Sequence, residues 1–302
     1  ADLSPDGLKA LAERCVAMAR AVPEDKYCGL PDADTLATGD LDMDLTGEPE
    51  IPAETLESEA LTAEAAALGI AGIKTVAGCG ASWNRSSRWV AASNGFSAYK
   101  TGTSTSLGLA SVAEKDGAME RDYESWSVRR TRNRPSAETI GRTAGERTIA
   151  RLGARKLNTR KAAVLYDRRV SGGLLGALMS AISGPSIARG VSFLKDSMGT
   201  QVFAKGINVI DDPFRPMGMG SRCHDGEGLP VKETYLIEDG RLTEWLLNGP
   251  SARQLGLRPN GFSALGFGDP PGVTTSNLYL QAGEKTPAEL MAQAGKGLLV
   301  TD

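Results

Sequence analysis

Leu8, Leu11, Ala12, Cys15, Val16, Met18 and Ala19 recur at the spacing of one helical face directly after Ser4-Pro5-Asp6. A Ser that can cap the first turn, followed by Pro inside that turn, is a helix start. The pattern predicts an amphipathic helix. An acidic, Pro-containing stretch runs from Pro23 to Pro52, and an Ala-rich helix follows over about 53–68. From Ile70 to Val128 the chain changes to Ser, Thr, Gly, Val and aromatics, with Asn94-Gly95 and Asp116-Gly117 set between strand-like runs. Both dipeptides suit the type I′ turn, whose two central residues need positive φ. An antiparallel meander is expected there. Pro135 then precedes Ser136-Ala-Glu-Thr139, which opens a third helix to about Leu152 with its Arg residues toward solvent.

The second half is less regular. Ala162 to Tyr166 reads as a short buried strand, and Val170 to Ser183 as an apolar helix rich in glycine. Glu238-Asp239-Gly240-Arg241 separates strand runs over 231–237 and 242–247, again as a hairpin. Short helices over 251–255 and 287–294 complete the pattern. Strands and helices do not alternate as in a doubly wound parallel sheet. The fold class is α+β: helices and a meander in a first domain, 1–157, then a mixed β-rich second domain, 158–302, carrying the small-residue helix.

Composition sharpens this only in places. With 302 residues, 41% hydrophobic and 24% charged, the chain is long enough for two medium domains, and its apolar runs break well before membrane-spanning length. No charged stretch followed by an apolar core opens the chain, so no secretory signal is expected; the missing initiator Met suggests a processed start or part of a longer chain. Cys15, Cys28, Cys79 and Cys223 form no CxxC pair, which fits buried thiols in a reducing cytoplasm. The net charge of -3 hides an acidic first seventy residues and a basic band from Arg129 to Arg169, where only Glu138, Glu146 and Asp167 oppose the Arg and Lys residues. Such a band could attract phosphates, or serve as a solvated face that pairs with the acidic half.

The glycine-rich helix is the most unusual segment. Gly172, Gly176 and Ser180 fall four apart, as do Gly173, Ala177 and Ala181. Each helical glycine costs about 0.5–1 kcal/mol relative to Ala, so something must offset it. Two readings stand: a floor beneath a groove, or close packing of the helix against a sheet.

Several blocks, in order along most of the chain, carry a resemblance. They include Ala92-Ser-Asn-Gly-Phe96, Met119-Glu-Arg-Asp-Tyr123, Gly153-Ala-Arg-Lys-Leu-Asn-Thr-Arg-Lys161, Val164-Leu-Tyr-Asp167, Gly173-Leu-Leu-Gly-Ala-Leu-Met-Ser-Ala-Ile-Ser-Gly184, Ser192-Phe-Leu-Lys-Asp196, Gly199-Thr-Gln-Val-Phe203, Asp225-Gly-Glu-Gly228 and Ser251-Ala-Arg-Gln-Leu-Gly256. Together they resemble the TldD/PmbA family. The resemblance implies a cytoplasmic two-subunit protease, once called a modulator of DNA gyrase, whose TldD-type subunit binds zinc through a helical HExxxH. Aligned by the preceding Leu-Leu, this chain places Gly176, Ala177 and Ala181 where that motif has His, Glu and His. None of these side chains can ligate a metal or move a proton.

The resemblance is therefore to the PmbA (TldE) side of the family. It implies no cofactor in this chain, zinc in a TldD-like partner subunit, a shared cavity for an extended peptide, and proteolysis of unfolded peptides or small regulatory proteins by the pair. It leaves homodimerisation of the chain alone open, and implies that an N-terminal α/β segment and a Gly-rich segment after Leu298-Leu-Val-Thr301 are missing. Two alternatives come from the residues themselves. One is a nucleic-acid-associated regulator using the band 129–169. The other is a hydrolase using Cys223 and His224, although residues adjacent in sequence rarely face each other as nucleophile and base must. Asp211-Asp212 and Asp225/Glu227 could hold a hard cation, but turn chemistry explains them more simply. Members of the family resemble Ser-x-Pro-Phe-Asp around 221–225, so His224, the only histidine, stands where an aromatic is usual.

Overall fold

The computed structural model describes residues 4–266 and 270–302. The first helix, α1 (Pro5–Ala21), begins as expected, with the Ser4 hydroxyl accepting from the Gly7 N–H at 3.2 Å. None of its residues is buried: Leu8, Leu11, Val16 and Met18 all lie exposed. The amphipathic pattern makes the helix, but its apolar face finds no core here.

A three-stranded antiparallel sheet organises the first half, in the order β1 (Ile73–Ala91), β2 (Ser97–Lys115), β3 (Ala118–Val128). Strands β1 and β2 are each 19 residues long, several times the usual strand. Asp116 and Gly117 take φ of +53° and +80°, the type I′ geometry that the Asp-Gly pair favours. The Asn94-Gly95 turn is different. Only Gly95 has positive φ, Ala92 N–H donates to Phe96 O at 2.9 Å, and the loop holds three residues instead of two. Its Asn instead spans outward, Nδ2 donating to Pro31 O at 2.9 Å.

Helices α2 (Ala53–Leu68) and α3 (Ala137–Ala150) cover one face of this sheet. On β2 the residues Thr103, Thr105, Leu107, Leu109, Ser111 and Ala113 alternate inward, and Leu107 and Leu109 meet Ala63, Ala67, Ile140 and Ala144 in a single apolar cluster. Helix α3 starts at the predicted cap, Ser136 accepting from Thr139 N–H at 3.2 Å. It approaches α2 so closely that a Cβ on Gly141 would lie 2.8 Å from the Ala63 carbonyl carbon. Strand β3 pairs with β2 only from Thr105 to Lys115. The outer part of the β1–β2 ribbon therefore runs on alone, toward the second half of the chain.

That half contains a four-stranded antiparallel sheet, β10 (Leu278–Leu280), β5 (Val209–Asp211), β6 (Thr234–Glu238), β7 (Arg241–Leu242). Asp239 and Gly240, with φ of +46° and +77°, turn β6 into β7. The predicted strand over 242–247 stops after Leu242; Leu246 forms an isolated parallel bridge with Ser183 instead. Helices α4 (Arg168–Ala181), α5 (Gly184–Ala188) and α6 (Gly249–Leu255) flank this region, with a small pair β8 (Ser263–Ala264) and β9 (Gly272–Val273). Leu178, Ile182, Leu194, Val209, Leu236, Ile237, Leu242, Leu246 and Phe262 form its core. Helix α7 (Pro287–Ala294) leads to β11 (Gly297–Val300), which pairs in parallel with β4 (Ala163–Tyr166). Four apolar residues with no period gave no sign of β11. Among the described residues no helix is long and apolar enough to cross a membrane.

The thiols do not follow the buried expectation. Cys15 and Cys28 are exposed, while Cys79 and Cys223 are half-buried.

Candidate functional site

Helix α4 is capped by Asp167, whose carboxylate accepts from the Arg169 N–H at 2.9 Å. It buries Leu178 and Ala181. Its opposite side is open: a Cβ built on Gly172, Gly173 or Gly176 would meet no atom within 4 Å. Gly176 and Ala177 are exposed, and so is Leu174. Close packing against a sheet, one of the two readings of this helix, is thus absent along the glycine stripe. Among the described residues nothing packs on these glycines to offset their cost. Ala181 faces inward instead, its carbonyl accepting from the Ser192 hydroxyl.

This arrangement does not fit zinc. Gly176, Ala177 and Ala181 offer no imidazole, carboxylate or thiolate, and Ala181 is buried while the other two are exposed. Among the described residues no group of three or more His, Cys, Asp and Glu side chains could hold a metal ion. Asp211 accepts from Ser276 N–H at 2.6 Å and from its hydroxyl at 2.9 Å. Asp225 accepts from the N–H groups of Glu227, Leu229 and Ser263. Burial raises both carboxyls above the ordinary range, partly opposed by these bonds. They organise loops.

A cleft of about 740 Å³ lies elsewhere, between residues 37–46, the outer end of β2 and the loop 222–224. Cys223 and His224 both line it. His224 Nδ1 is 2.7 Å from Asp225 O, and its ring meets Phe96 edge-on with centroids 4.9 Å apart. The Cys223 sulfur lies 3.1 Å from Asp40 Oδ1 and accepts from Leu41 N–H at 3.3 Å. Burial pushes this thiol up, and nearby Asp40 adds to that against the Leu41 N–H. A nucleophilic cysteine needs the reverse. The cleft also contains Lys100 and Arg222, which motif reasoning passed over. Lys100 is the only charged residue of β2 before Glu114, and that isolated charge is the signal the sequence offers.

Among the described residues, six of the thirteen cations of the basic band make ion pairs, while Arg155, Lys156, Arg160 and Lys161 lie exposed. Arg130 pairs with Asp44, Arg134 with Glu59, Arg142 with Glu138, Arg147 with Glu124, Arg151 with Asp302, and Arg169 with Asp122. Arg129 is buried, and its guanidinium donates to the carbonyls of Leu45, Thr103, Gly218 and Met219. Of the Arg residues expected to face solvent from the third helix, Arg142 is exposed while Arg147 and Arg151 are half-buried; Arg129 and Arg134, which precede the helix, are buried.

Two family models cover most of the chain: the PmbA/TldA metallopeptidase central domain over residues 47–152, and the C-terminal domain of the same family over 159–302. The chain belongs to the PmbA/TldD metallopeptidase family. It is 32% identical to "Metalloprotease PmbA" of Escherichia coli O157:H7 and 29% to a PmbA homologue of Haemophilus influenzae, in each case over all of this chain and 65% of the relative. The chain thus spans about two thirds of the length of these relatives. Among solved structures it is similar to a putative modulator of DNA gyrase from Bacteroides thetaiotaomicron, with a TM-score of 0.90 at 23% identity over 99% of this chain and 67% of that one. It is also similar to TldE from Thermococcus kodakarensis, with a TM-score of 0.83 at 18% identity and the same coverage. At these identities the structures show that the fold is shared.

Proposed function

We propose that this chain is the zinc-free, PmbA/TldE-type subunit of a cytoplasmic metalloprotease, pairing with a TldD-like zinc-bearing subunit to hydrolyse unfolded peptides or small regulatory proteins. The observation that carries this reading is the state of α4. At the positions aligned with the zinc motif the helix holds Gly176 and Ala177, exposed and without donor atoms, and the stripe Gly172, Gly173, Gly176 is uncovered. A helix that keeps costly glycines on an open face is suited to close approach by another backbone. A subunit that had lost zinc and gained no partner would have no reason to keep them.

Binding to nucleic acid through 129–169 is less favoured. Ion pairs to Asp44, Glu59, Glu124, Glu138, Asp122 and Asp302 engage six of its thirteen cations. Catalysis by Cys223 and His224 is disfavoured by a thiol held up and an imidazole engaged with Asp225 O.

The test is to purify this chain alone and co-expressed with an HExxxH-bearing member of the family, then measure zinc per subunit and peptide hydrolysis. Zinc and hydrolysis should accompany the pair. Hydrolysis by the chain alone after chelation, or failure of the two to co-purify, would overturn the proposal.

A further inference from the structure

The cleft beside β2 has the character of an anion site. Lys100 and Arg222 line it, Arg129 lies close enough to Lys100 to repel its charge, and among the described residues none of the three makes an ion pair within 4 Å. Their hydrogen bonds go to carbonyls, Lys100 to Ser221 O, Arg222 to Thr274 O at 2.9 Å and Arg129 to the four named above, while Asp211 and Asp225 favour the charge of Arg222 and Asp40 that of Lys100 from a greater distance. Arg222 Nε is buried with no hydrogen-bond partner. Burial first, then repulsion from Arg129 and Arg222, holds the Lys100 ammonium below its ordinary pKa. Asp40 and Asp42 are the carboxylates of the lining, and Asp40 is the one that reaches Cys223 while Asp42 Oδ1 accepts from Asp44 N–H at 2.9 Å. A second cavity of about 210 Å³ on the other side of Ala98 and Lys100 shares Lys100, Arg222 and His224.

The wall of the cleft is an open sheet edge. Backbone groups of alternate strand residues point to alternate sides. Thr103 N–H points away from β1, donating to Leu45 O at 2.9 Å, so the backbones of Ser97, Tyr99 and Thr101 point the same way. Strand β3 does not reach them, since its pairing ends at Thr105. From Ser97 to Thr101 the cleft separates this edge from residues 37–46. Its volume lies within the roughly 300–1,000 Å³ common for bound ligands.

We propose that this cleft binds the C-terminal residues of an extended peptide, which add a strand to the Ser97–Thr101 edge and place their terminal carboxylate against Lys100 and Arg222. The edge supplies sequence-independent hydrogen bonds, and the cation pair reads the free end of the chain. The proposal rests on the peptide-handling reading above, but needs no partner subunit and no zinc.

The experiment titrates this chain at low salt with two probes, N-acetyl-tetra-alanine ending in a free carboxylate and the same peptide ending in an amide, with inorganic phosphate as a third. The free acid should bind at least tenfold more tightly than the amide, and Lys100→Met should abolish that difference. Comparison of acid and amide on the unaltered chain keeps the test valid if Lys100→Met folds poorly. Equal binding of acid and amide, or phosphate binding as tightly as the acid, would overturn the proposal. Co-purification with the HExxxH relative is read separately, so failure here leaves the subunit assignment standing and the reverse also holds.

Discussion

The same substitution should have opposite signs on two helices of this chain. Gly141 in α3 and Gly176 in α4 both lie within helices, where replacement by Ala removes a backbone penalty of about 0.5–1 kcal/mol. At Gly176 a Cβ meets nothing within 4 Å, so that gain should appear in full. At Gly141 the added carbon would sit 2.8 Å from the carbonyl carbon of Ala63 and 3.0 Å from its Cα, closer still to the oxygen. These are backbone atoms of α2 and cannot rotate aside, so the helices must separate. Overpacking of this kind costs about 1–3 kcal/mol, and so close an approach to backbone belongs at the upper end, which leaves Gly141→Ala a net loss of roughly 2–2.5 kcal/mol once the helical gain is subtracted. Thermal unfolding followed by circular dichroism reads both variants. For domains of this size the loss lowers Tm by about 4 °C or more, and the gain at Gly176 raises it by about 2 °C. A stabilised Gly141→Ala would refute the close approach of α2 and α3, and a destabilised Gly176→Ala would show that the face of α4 is already covered in the isolated chain.

Two further outcomes follow from the charges and thiols. Burial pushes the Asp122 carboxyl up, but bonds from Arg169 and the Tyr123 N–H, with the charges of Arg169 and Arg151, outweigh it and leave the pKa below the usual 3.8. A depressed carboxylate stabilises above its unfolded pKa and loses that contribution as pH falls through the folded value. The stability gap between the unaltered chain and Asp122→Asn, measured by urea unfolding, should therefore hold at neutral pH and shrink below about pH 4; a gap constant down to pH 2 would contradict the ion pair. Alkylation by iodoacetamide, followed by mass spectrometry, should modify the exposed Cys15 and Cys28 ahead of Cys79 and Cys223, whose thiols burial pushes up. Cys223 reacting first would restore the Cys-His reading.

What the sequence reveals depends on whether the deciding contact is local. Ser4, Ser136, Asp116-Gly117 and Asp239-Gly240 act on neighbours a few residues away, and each does in the fold what its residue type suggests. Arg129 does not, because its carbonyl partners lie on three separate stretches of chain, and a basic band read along the sequence looks solvated. Strand β11 is equally silent, since its partner β4 lies more than a hundred residues earlier. The glycines show the limit most clearly. Gly141 and Gly145 are four apart, as are Gly172 and Gly176, and sequence treats the two pairs alike. In α3 the pair is filled by α2 and the residue just beyond it: a Cβ on Gly145 would lie 3.4 Å from Ala67 O and 2.7 Å from Ile70 Cδ1, and one on Gly141 would strike Ala63. In α4 the same spacing meets open space. Where this chain keeps glycines four apart inside a helix and their partner is present, that partner is another helix at close range. The proposed pairing of α4 with a second subunit rests on that uncovered pair.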